Sequence, residues 1–264
     1  MIRTGIGGWV YPDWRGGAFY PAGLAQKREL EHASRALGAI EINGTYHRLQ
    51  KPESFRKWRE QTPDGFVFAV KGSSYVTNRK VLATAGESLD RFFAQGLDEL
   101  GDRLGPVLWQ LMGTKAFDAE DVAAFLKLLP REFAGRPLRH AIEAGHESFA
   151  CPQFVDLARD AGVAIVWLEQ EGRATLADRT TDFAYLRCKN LHSDQPTGYA
   201  PRDLDRIAAL CRAWAAGEAP ESLPYAADRA DSRGKSGDVF AFMINGAKER
   251  APAAAQALAD LVAR

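Results

Sequence analysis

Seven short apolar segments of the sequence each carry one polar side chain near their C-terminal end. They are the carboxylates Glu41, Glu143 and Glu169, the cations Lys71 and Arg187, and the amides Gln110 and Asn245. Carboxylates can accept and return protons, and fixed cations can hold a phosphate or carboxylate group. The residue types therefore indicate hydrolase-like or isomerase-like acid–base chemistry on a polar, anionic small molecule or nucleotide fragment.

Three of these side chains are candidate catalytic residues. Glu41 or Glu143 would act as acid or base, and Lys71 would serve as a cation for the anionic group. We expect Lys71 to stay charged, because a neighbouring carboxylate favours the ammonium form. Arg187 would be a second anion clamp. The candidate ligand-binding residues are Trp9, Asn43, Thr45, Gln110, His146, Glu169, Arg187 and Asn245.

The elements that carry these side chains read as alternating strands and helices. Strands are predicted over 2–9, 39–46, 66–72, 105–112, 139–146, 164–171, 183–190 and 238–246, and helices over 25–37, 52–61, 88–100, 118–130, 151–162, 201–217 and 251–263. Most of the strands are nearly continuously apolar, as strands buried on both faces should be. Eight strands in 264 residues favour an α/β fold, a closed (β/α)8 barrel of TIM type that spans 1–264 as a single domain.

Two features qualify this architecture. About a dozen residues separate strands six and seven, too few for a full helix, so an irregular connection is expected there. An open doubly wound sheet is the alternative fold, but no G-x-G-x-x-G follows the first strand, so its dinucleotide-binding version is weakly supported.

Side-chain alternation predicts which residues face the barrel interior. In strand two, Glu41, Asn43 and Thr45 share a face, and in strands six and eight Glu169 and Asn245 are expected to face inward. The carboxyl ends of barrel strands are where active sites lie. The alternative is purely structural: Glu41 with Lys71, and Glu143 with Arg187, would be ion pairs that plug the mouth.

Several motifs resemble a known family, the domain of unknown function 72 or YecE-like proteins. They are "GGWVYPDWRGGAFYP", "EINGTYHR", "TPDGFVFAVKGSSYVTN", "LWQL", "RHAIEAGHESF", "YLRCKN" and "FMINGA". The resemblance implies a (β/α)8 barrel and marks Glu41, Asn43, Thr45, Lys71, Glu143, His146 and Arg187 as motif residues. The chain departs from the family pattern at Gly145, where arginine is usual, at Asn78, where histidine is usual, and at Gly246, where asparagine is usual.

A divalent metal is an alternative occupant of the mouth. Glu143 and His146 could ligate it together with Glu41 and Glu169, since carboxylate and imidazole suit divalent ions. Two cations at the same mouth would repel a metal ion, so we predict no metal and no cofactor.

Two alternative functions remain open. Fold analogy with barrel endonucleases suggests a nucleic-acid-binding or repair protein. Its basic rim beside the mouth would consist of Arg229, Arg233 and Lys235 together with Arg79, Lys80 and Lys189. Net charge weighs against it, because 34 lysines and arginines balance 34 aspartates and glutamates. The stretch "SRGKSG" (232–237) lacks the earlier glycine and the following helix of a P-loop. The other alternative is a barrel that binds a ligand without catalysis.

Location is predicted from the cysteines and the apolar runs. The three cysteines have no C-x-x-C spacing, which favours free thiols in a reducing compartment. The first residues lack the apolar run of a signal peptide, and no run reaches the roughly 18 residues that a membrane span needs. We therefore expect a cytoplasmic protein without a membrane partner.

Overall fold

A computed structural model describes residues 1–173 and 175–264, and its centre is a closed barrel of eight parallel strands. The strands are β1 (Ile2–Gly7), β2 (Ala39–Ile42), β3 (Val67–Lys71), β4 (Leu104–Gln110), β5 (His140–Glu143), β6 (Val163–Glu169), β7 (Ala184–Cys188) and β8 (Val239–Met243). Each strand pairs with its neighbours in chain order, and β8 closes the barrel by pairing with β1. The predicted (β/α)8 barrel is confirmed.

Helices surround the barrel and bury apolar side chains against it; α5, for example, buries Leu89 and Phe92, three residues apart. The α-helices are α1 (Glu29–Ala36), α2 (Gly44–His47), α3 (Pro52–Glu60), α4 (Ser74–Thr77), α5 (Gly86–Phe93), α6 (Ala119–Leu128), α7 (Pro152–Ala161), α8 (Pro201–Ala216) and α9 (Ala251–Val262). Short 3-10 helices cover Pro12–Trp14, Gln26–Arg28, Leu82–Thr84, Leu97–Arg103, Glu147–Phe149, Arg229–Ser232 and Lys248–Arg250. An antiparallel pair, Glu132–Phe133 with Arg136–Pro137, precedes β5.

The connection between β6 and β7 contains no helix among its described residues, so the predicted irregular connection is confirmed. Predicted strand ends are less accurate, since most strands stop two to four residues earlier. Asn43 and Thr45 were expected in strand two, but Asn43 caps α2 and Thr45 lies within it. The Thr45 hydroxyl donates to the backbone oxygen of Lys71 at 2.7 Å, which joins this helical turn to the end of β3.

The barrel interior is filled by small residues on one side and aromatic residues on the other. Alanines of β2, β3 and β5 lie in the same cluster as Tyr185 of β7 and Phe240 and Phe242 of β8. This combination fills a barrel of eight strands without a central channel. Among the described residues, no helix is both long and apolar enough to cross a bilayer.

The predicted facing is wrong for β6 and β8. In β8, Phe240 and Phe242 fill the interior, and Asn245 lies beyond the end of the strand at Met243. Ala164 and Val166 fill the interior of the barrel, whereas Trp167 packs outward against Trp214 of α8, with ring centroids 5.7 Å apart. Glu169 shares the outward face of Trp167. Both faces of β6 are apolar along most of its length, so its sequence pattern does not distinguish inside from outside.

Candidate functional site

A buried group of charges forms the floor of the barrel mouth. Arg187 donates from Nη2 to Glu41 Oε1 at 2.9 Å and from Nε to Glu41 Oε2 at 3.0 Å, and Nη1 donates to Glu143 Oε2. Tyr185 also donates its hydroxyl to Glu41 Oε2 at 2.7 Å. Arg187, Glu41 and Glu143 are all buried. The Nε, Nη1 and Nη2 atoms of Arg187 therefore each donate one hydrogen bond to a protein carboxylate.

Glu143 has partners on both of its oxygens. Its Oε1 accepts from Gln110 Nε2 at 2.6 Å and from Lys189 Nζ at 2.7 Å. Burial raises the pKa of Glu143, but the charges of Arg187 and Lys189 outweigh burial and lower this pKa to about 2. The Glu143 carboxylate is thus firmly ionised near neutral pH.

The structural alternative of ion pairs at the mouth holds in part. Glu143 does pair with Arg187, but Glu41 pairs with Arg187 instead of Lys71. Lys71 has no carboxylate oxygen within 4 Å among the described residues, so it is separate from the floor.

A pocket of about 230 Å³ opens above this floor. Its lining residues are Gly7, Asn43, His47, Lys71, Gln110, Arg187, Lys189, Ile244, Asn245 and Lys248. Four of them are lysine or arginine, three are amides, and none is a carboxylate. The carboxylates are below, where they hold Arg187 and Lys189. The pocket therefore presents positive charge and amide groups to a ligand.

Lys71 is positioned by two neighbours on α2. The Thr45 hydroxyl donates to the backbone oxygen of Lys71 at 2.7 Å, and Lys71 Nζ lies 4.1 Å from the centroid of the Tyr46 ring. Burial lowers the pKa of Lys71 to about 8, the charge of Arg187 adds to the decrease, and Glu41 opposes it. Lys71 is therefore mostly charged at neutral pH, but its pKa is lower than the neighbouring carboxylates alone would give, because burial and Arg187 outweigh them.

Lys248 is a pocket residue that sequence reasoning missed. Its Nζ lies 5.2 Å from the Tyr11 ring and 5.8 Å from the Trp14 ring, and Trp14 Nε1 donates to its backbone oxygen at 2.9 Å. Burial lowers the pKa of Lys248, and Glu41 opposes the shift. Lys248 lies beyond the end of β8, so no strand alternation could have indicated it. Lys189, predicted as part of a basic rim, does line the pocket, two residues after Arg187.

Three predicted ligand-binding residues lie away from the pocket. Glu169 faces outward and accepts from Tyr199 OH at 2.8 Å and from Arg206 Nη2 at 3.3 Å. His146 caps the turn that follows β5, with Nδ1 accepting from the backbone N–H of Ser148 at 3.2 Å. Trp9 packs on Trp58, with ring centroids 5.1 Å apart.

The other predicted residues do meet at the mouth. Asn43, Lys71, Gln110, Arg187 and Asn245 line the pocket, and Glu41 and Glu143 lie beneath it. Thr45 is completely buried and contacts the pocket only through the backbone of Lys71. Within the described part of the chain, no three His, Cys, Asp or Glu side chains are arranged to hold a metal ion.

Two residues of the predicted basic rim lie at the other end of the barrel, whereas Lys189 lines the mouth. Arg233 and Lys235 are on the loop that precedes β8, which is the N-terminal end of the strands. The expectation that they flank the mouth is wrong, because a loop before a parallel strand is opposite to its carboxyl end.

The protein is a closed (β/α)8 barrel with a cationic pocket at the carboxyl ends of its strands. Within this class the chain belongs to the DUF72 family, since the family model described as "Protein of unknown function DUF72" matches residues 3–264. UPF0759 protein YecE of Escherichia coli K12 is 28% identical over 209 residues, which are 78% of this chain and 66% of YecE, just under two thirds of its length. UPF0759 protein YunF of Bacillus subtilis 168 is 24% identical over 195 residues, which are 69% of this chain and 67% of YunF.

Solved structures share the fold. The DUF72 family protein TM1631 of Thermotoga maritima MSB8 has a TM-score of 0.73 and 21% identity, and the comparison covers 100% of both chains. SacUVDE has a TM-score of 0.50 and 12% identity over 89% of this chain and 84% of that chain. At these identities the likeness extends to the barrel alone. The family resemblance of the sequence motifs is confirmed.

Proposed function

We propose that the barrel mouth is the active site of an enzyme that acts on a small anionic molecule, with Lys71 as the group that moves a proton. The observation that carries the proposal is the composition of the pocket. Lysine and arginine side chains line it together with three amides, and the carboxylates lie beneath. Such a lining favours a phosphate or carboxylate group.

Lys71 is better suited to proton transfer than either glutamate. With a pKa of about 8, both of its protonation states are populated near neutral pH. Glu143, with a pKa of about 2, and Glu41, with both oxygens accepting hydrogen bonds, are better suited to positioning Arg187. The catalytic role predicted for the two glutamates stays a prediction, and the geometry favours a supporting role.

The ligand would be oriented by groups of two kinds. Lys189 and Lys248 would hold its charge together with the remaining N–H groups of Arg187, and Asn43, Gln110 and Asn245 would bind its polar substituents. A pocket of about 230 Å³ fits a small molecule such as a short phosphate ester. Three free thiols favour a reducing compartment, so a cytoplasmic location is part of the proposal.

The test is consumption of candidate substrates by the purified protein. A pool of phosphorylated and carboxylated small molecules is incubated with the wild type and its composition is followed by mass spectrometry. Lys71→Met should abolish consumption, whereas Lys57→Met, which removes an exposed lysine on α3, should leave it unchanged. Equal consumption by the wild type and Lys71→Met would contradict the proposal. Binding of a pool member without its consumption would favour the non-catalytic ligand-binding barrel.

The nucleic-acid alternative has less support because the loop with Arg233 and Lys235 is at the opposite end from the mouth. It makes a separate prediction: binding of a DNA or RNA duplex at low ionic strength that weakens steeply with salt. Such binding, lost in Lys71→Met, would favour this alternative over the small molecule.

A further inference from the structure

A second basic cavity lies at the N-terminal end of the barrel, opposite the mouth. It has a volume of about 310 Å³ and lies between the segment that enters β7, the loop that enters β8, and the end of α7. Thr180 on this segment donates its hydroxyl to the backbone oxygen of Val163, the first residue of β6. This contact locates the cavity at the amino ends of the strands.

Arg179 is the buried centre of this cavity. Its side chain is only slightly exposed, with 7% of the residue accessible. Its Nε and Nη1 donate to no acceptor among the described residues, and Nη2 makes one long contact of 3.4 Å to the backbone oxygen of Lys235. A cation without partners loses its hydration on burial and gains little in return.

Other buried arginines of the protein are neutralised. Arg187 contacts Glu41 and Glu143, and Arg103 contacts Asp64 and Asp102. By contrast, no carboxylate oxygen of the described residues lies within 4 Å of Arg179, and burial lowers the pKa of Arg179. Of the buried arginines Arg103, Arg179 and Arg187, Arg179 alone therefore lacks a carboxylate partner among the described residues.

Neighbouring residues add to the positive charge. Arg159 at the end of α7 has Nε and Nη2 buried without an acceptor in the described chain, and its Nη1 contacts Asp156 at 3.0 Å. Arg233 and Lys235 line the cavity from the exposed loop, and so do the exposed carboxylates of Asp182 and Asp231. Four cations stand against three carboxylates when Asp156 is counted, which leaves a net positive charge that favours an anion.

We propose that this cavity binds a phosphate-bearing small molecule through its phosphate group, with Arg179 as the principal ligand. The planar guanidinium offers N–H groups that match the oxygens of a tetrahedral anion. Gly234, close to Arg179 Nη1, leaves room for the anion to approach the loop backbone. The stretch "SRGKSG" thus contributes to an anion site without being a P-loop, because a strand and not a helix follows it.

The test is isothermal titration calorimetry with inorganic phosphate as the probe. Lys71→Met serves as the background, which weakens binding at the mouth and leaves the second cavity intact. Phosphate should bind this variant, and adding Arg179→Met should weaken the binding at least about tenfold. Adding Arg91→Met instead, at an exposed arginine of α5, should leave the affinity unchanged. Absence of binding in the background, or affinity unchanged by Arg179→Met, overturns the proposal.

A charge-reversal variant and a second anion test the same site independently of Arg179→Met. If Arg179→Met does not fold, Lys235→Glu in the same background reverses an exposed charge at the cavity, and unchanged phosphate affinity then overturns the proposal. Acetate is the second probe: binding as tight as that of phosphate would overturn the assignment to a phosphate group. In phosphate-free buffer, Arg179→Met should unfold at an equal or higher urea concentration than the wild type, because an unpaired buried charge is removed.

Discussion

Arg187 and Glu41 form a two-contact ion pair across the inside of the barrel, with distances of 2.9 and 3.0 Å. The two strands involved, β7 and β2, are not neighbours in the barrel, since β8 and β1 lie between them. Both side chains are buried, so the pair holds the floor of the mouth at a fixed width. Buried polar networks whose members are all hydrogen-bonded stiffen the structure around them, so we expect this floor to fix the shape of the pocket above it.

Arg187→Met should strongly destabilise the protein. The substitution leaves Glu41 buried without a charged partner within 4 Å and leaves Glu143 with Lys189 alone, and breaking such a buried pair costs about 3–5 kcal/mol. Urea denaturation measures the free energy of unfolding. Arg206→Met is the control: its ion pair with Glu169 is half exposed and is expected to contribute less than about 1 kcal/mol. Similar small losses in both variants would contradict a structural role for the floor.

Glu143→Gln should change the response of stability to acid. The pKa of Glu143 is lowered to about 2 in the folded protein, so ionised Glu143 contributes stability above pH 4.5, and this contribution disappears as pH falls from 4.5 towards 2. The wild type should exceed Glu143→Gln by up to about 3 kcal/mol at pH 6. We expect the difference to shrink steadily below pH 4.5 in urea titrations. A difference independent of pH would mean that the carboxylate charge is not the source.

Lys71 should make anion binding at the mouth depend on pH. Raising the pH through about 8 removes the Lys71 charge, so the affinity for sulfate, which stays dianionic over this range, should fall there. In Lys71→Arg the cation persists, and the decrease near pH 8 should disappear. Calorimetric titrations at pH 6.5 to 9.5 make the comparison. An identical decrease in both proteins would assign the titration to another group, such as Lys189 or Lys248.

The stability of the wild type should also respond to Lys71 in alkali. The pKa of Lys71 in the folded protein lies below its ordinary value of 10.5, so the unfolded chain binds more protons between about pH 8 and 10.5. The Lys71 contribution therefore raises stability as pH rises through this window, and Lys71→Met should lack that contribution. Near neutral pH, the substitution should be neutral or stabilising, in contrast to Glu143→Gln.

The barrel was predictable because its strands are buried on both faces and read as separate apolar runs. The same property hid the facing of β6, where Val166, Trp167 and Leu168 are all apolar. Strand ends were predicted too long because polar residues such as Asn43 continue the alternation into the following turn. Sequence patterns record burial and periodicity, but they do not record where a strand stops.

The sequence predicts which residues meet at the mouth, but it does not predict which carboxylate pairs with which cation. Alternation brought Glu41, Lys71, Glu143 and Arg187 together correctly. Which carboxylate contacts which cation depends on side-chain reach across the barrel, and Arg187 is long enough to contact both glutamates. Lys248 enters the pocket from a 3-10 helix that Trp14 holds by a hydrogen bond, a tertiary contact without a local sequence signal.

Gly246 lies where the resemblance of the sequence to the family predicts asparagine, and the packing of this chain requires glycine there. Its φ is +93°, and an added Cβ would lie 2.3 Å from the backbone oxygen of Leu191 and 2.5 Å from its nitrogen. Ala247 N–H donates to the same oxygen at 2.8 Å, so this turn joins the end of β8 to the loop after β7. Gly246→Asn should therefore clash with backbone that cannot easily yield.

Gly246→Asn should lower both stability and sulfate affinity, because Asn245 and Lys189 flank the displaced turn. Gly23→Ala is the matched control: its φ is +78°, but an added Cβ would meet nothing within 4 Å. The control should cost only the backbone strain of about 1–2 kcal/mol, and Gly246→Asn should cost more. Urea denaturation and sulfate calorimetry measure the two effects. If both substitutions cost the same and leave sulfate affinity unchanged, the turn does not shape the pocket, and Gly246 is explained by its φ alone.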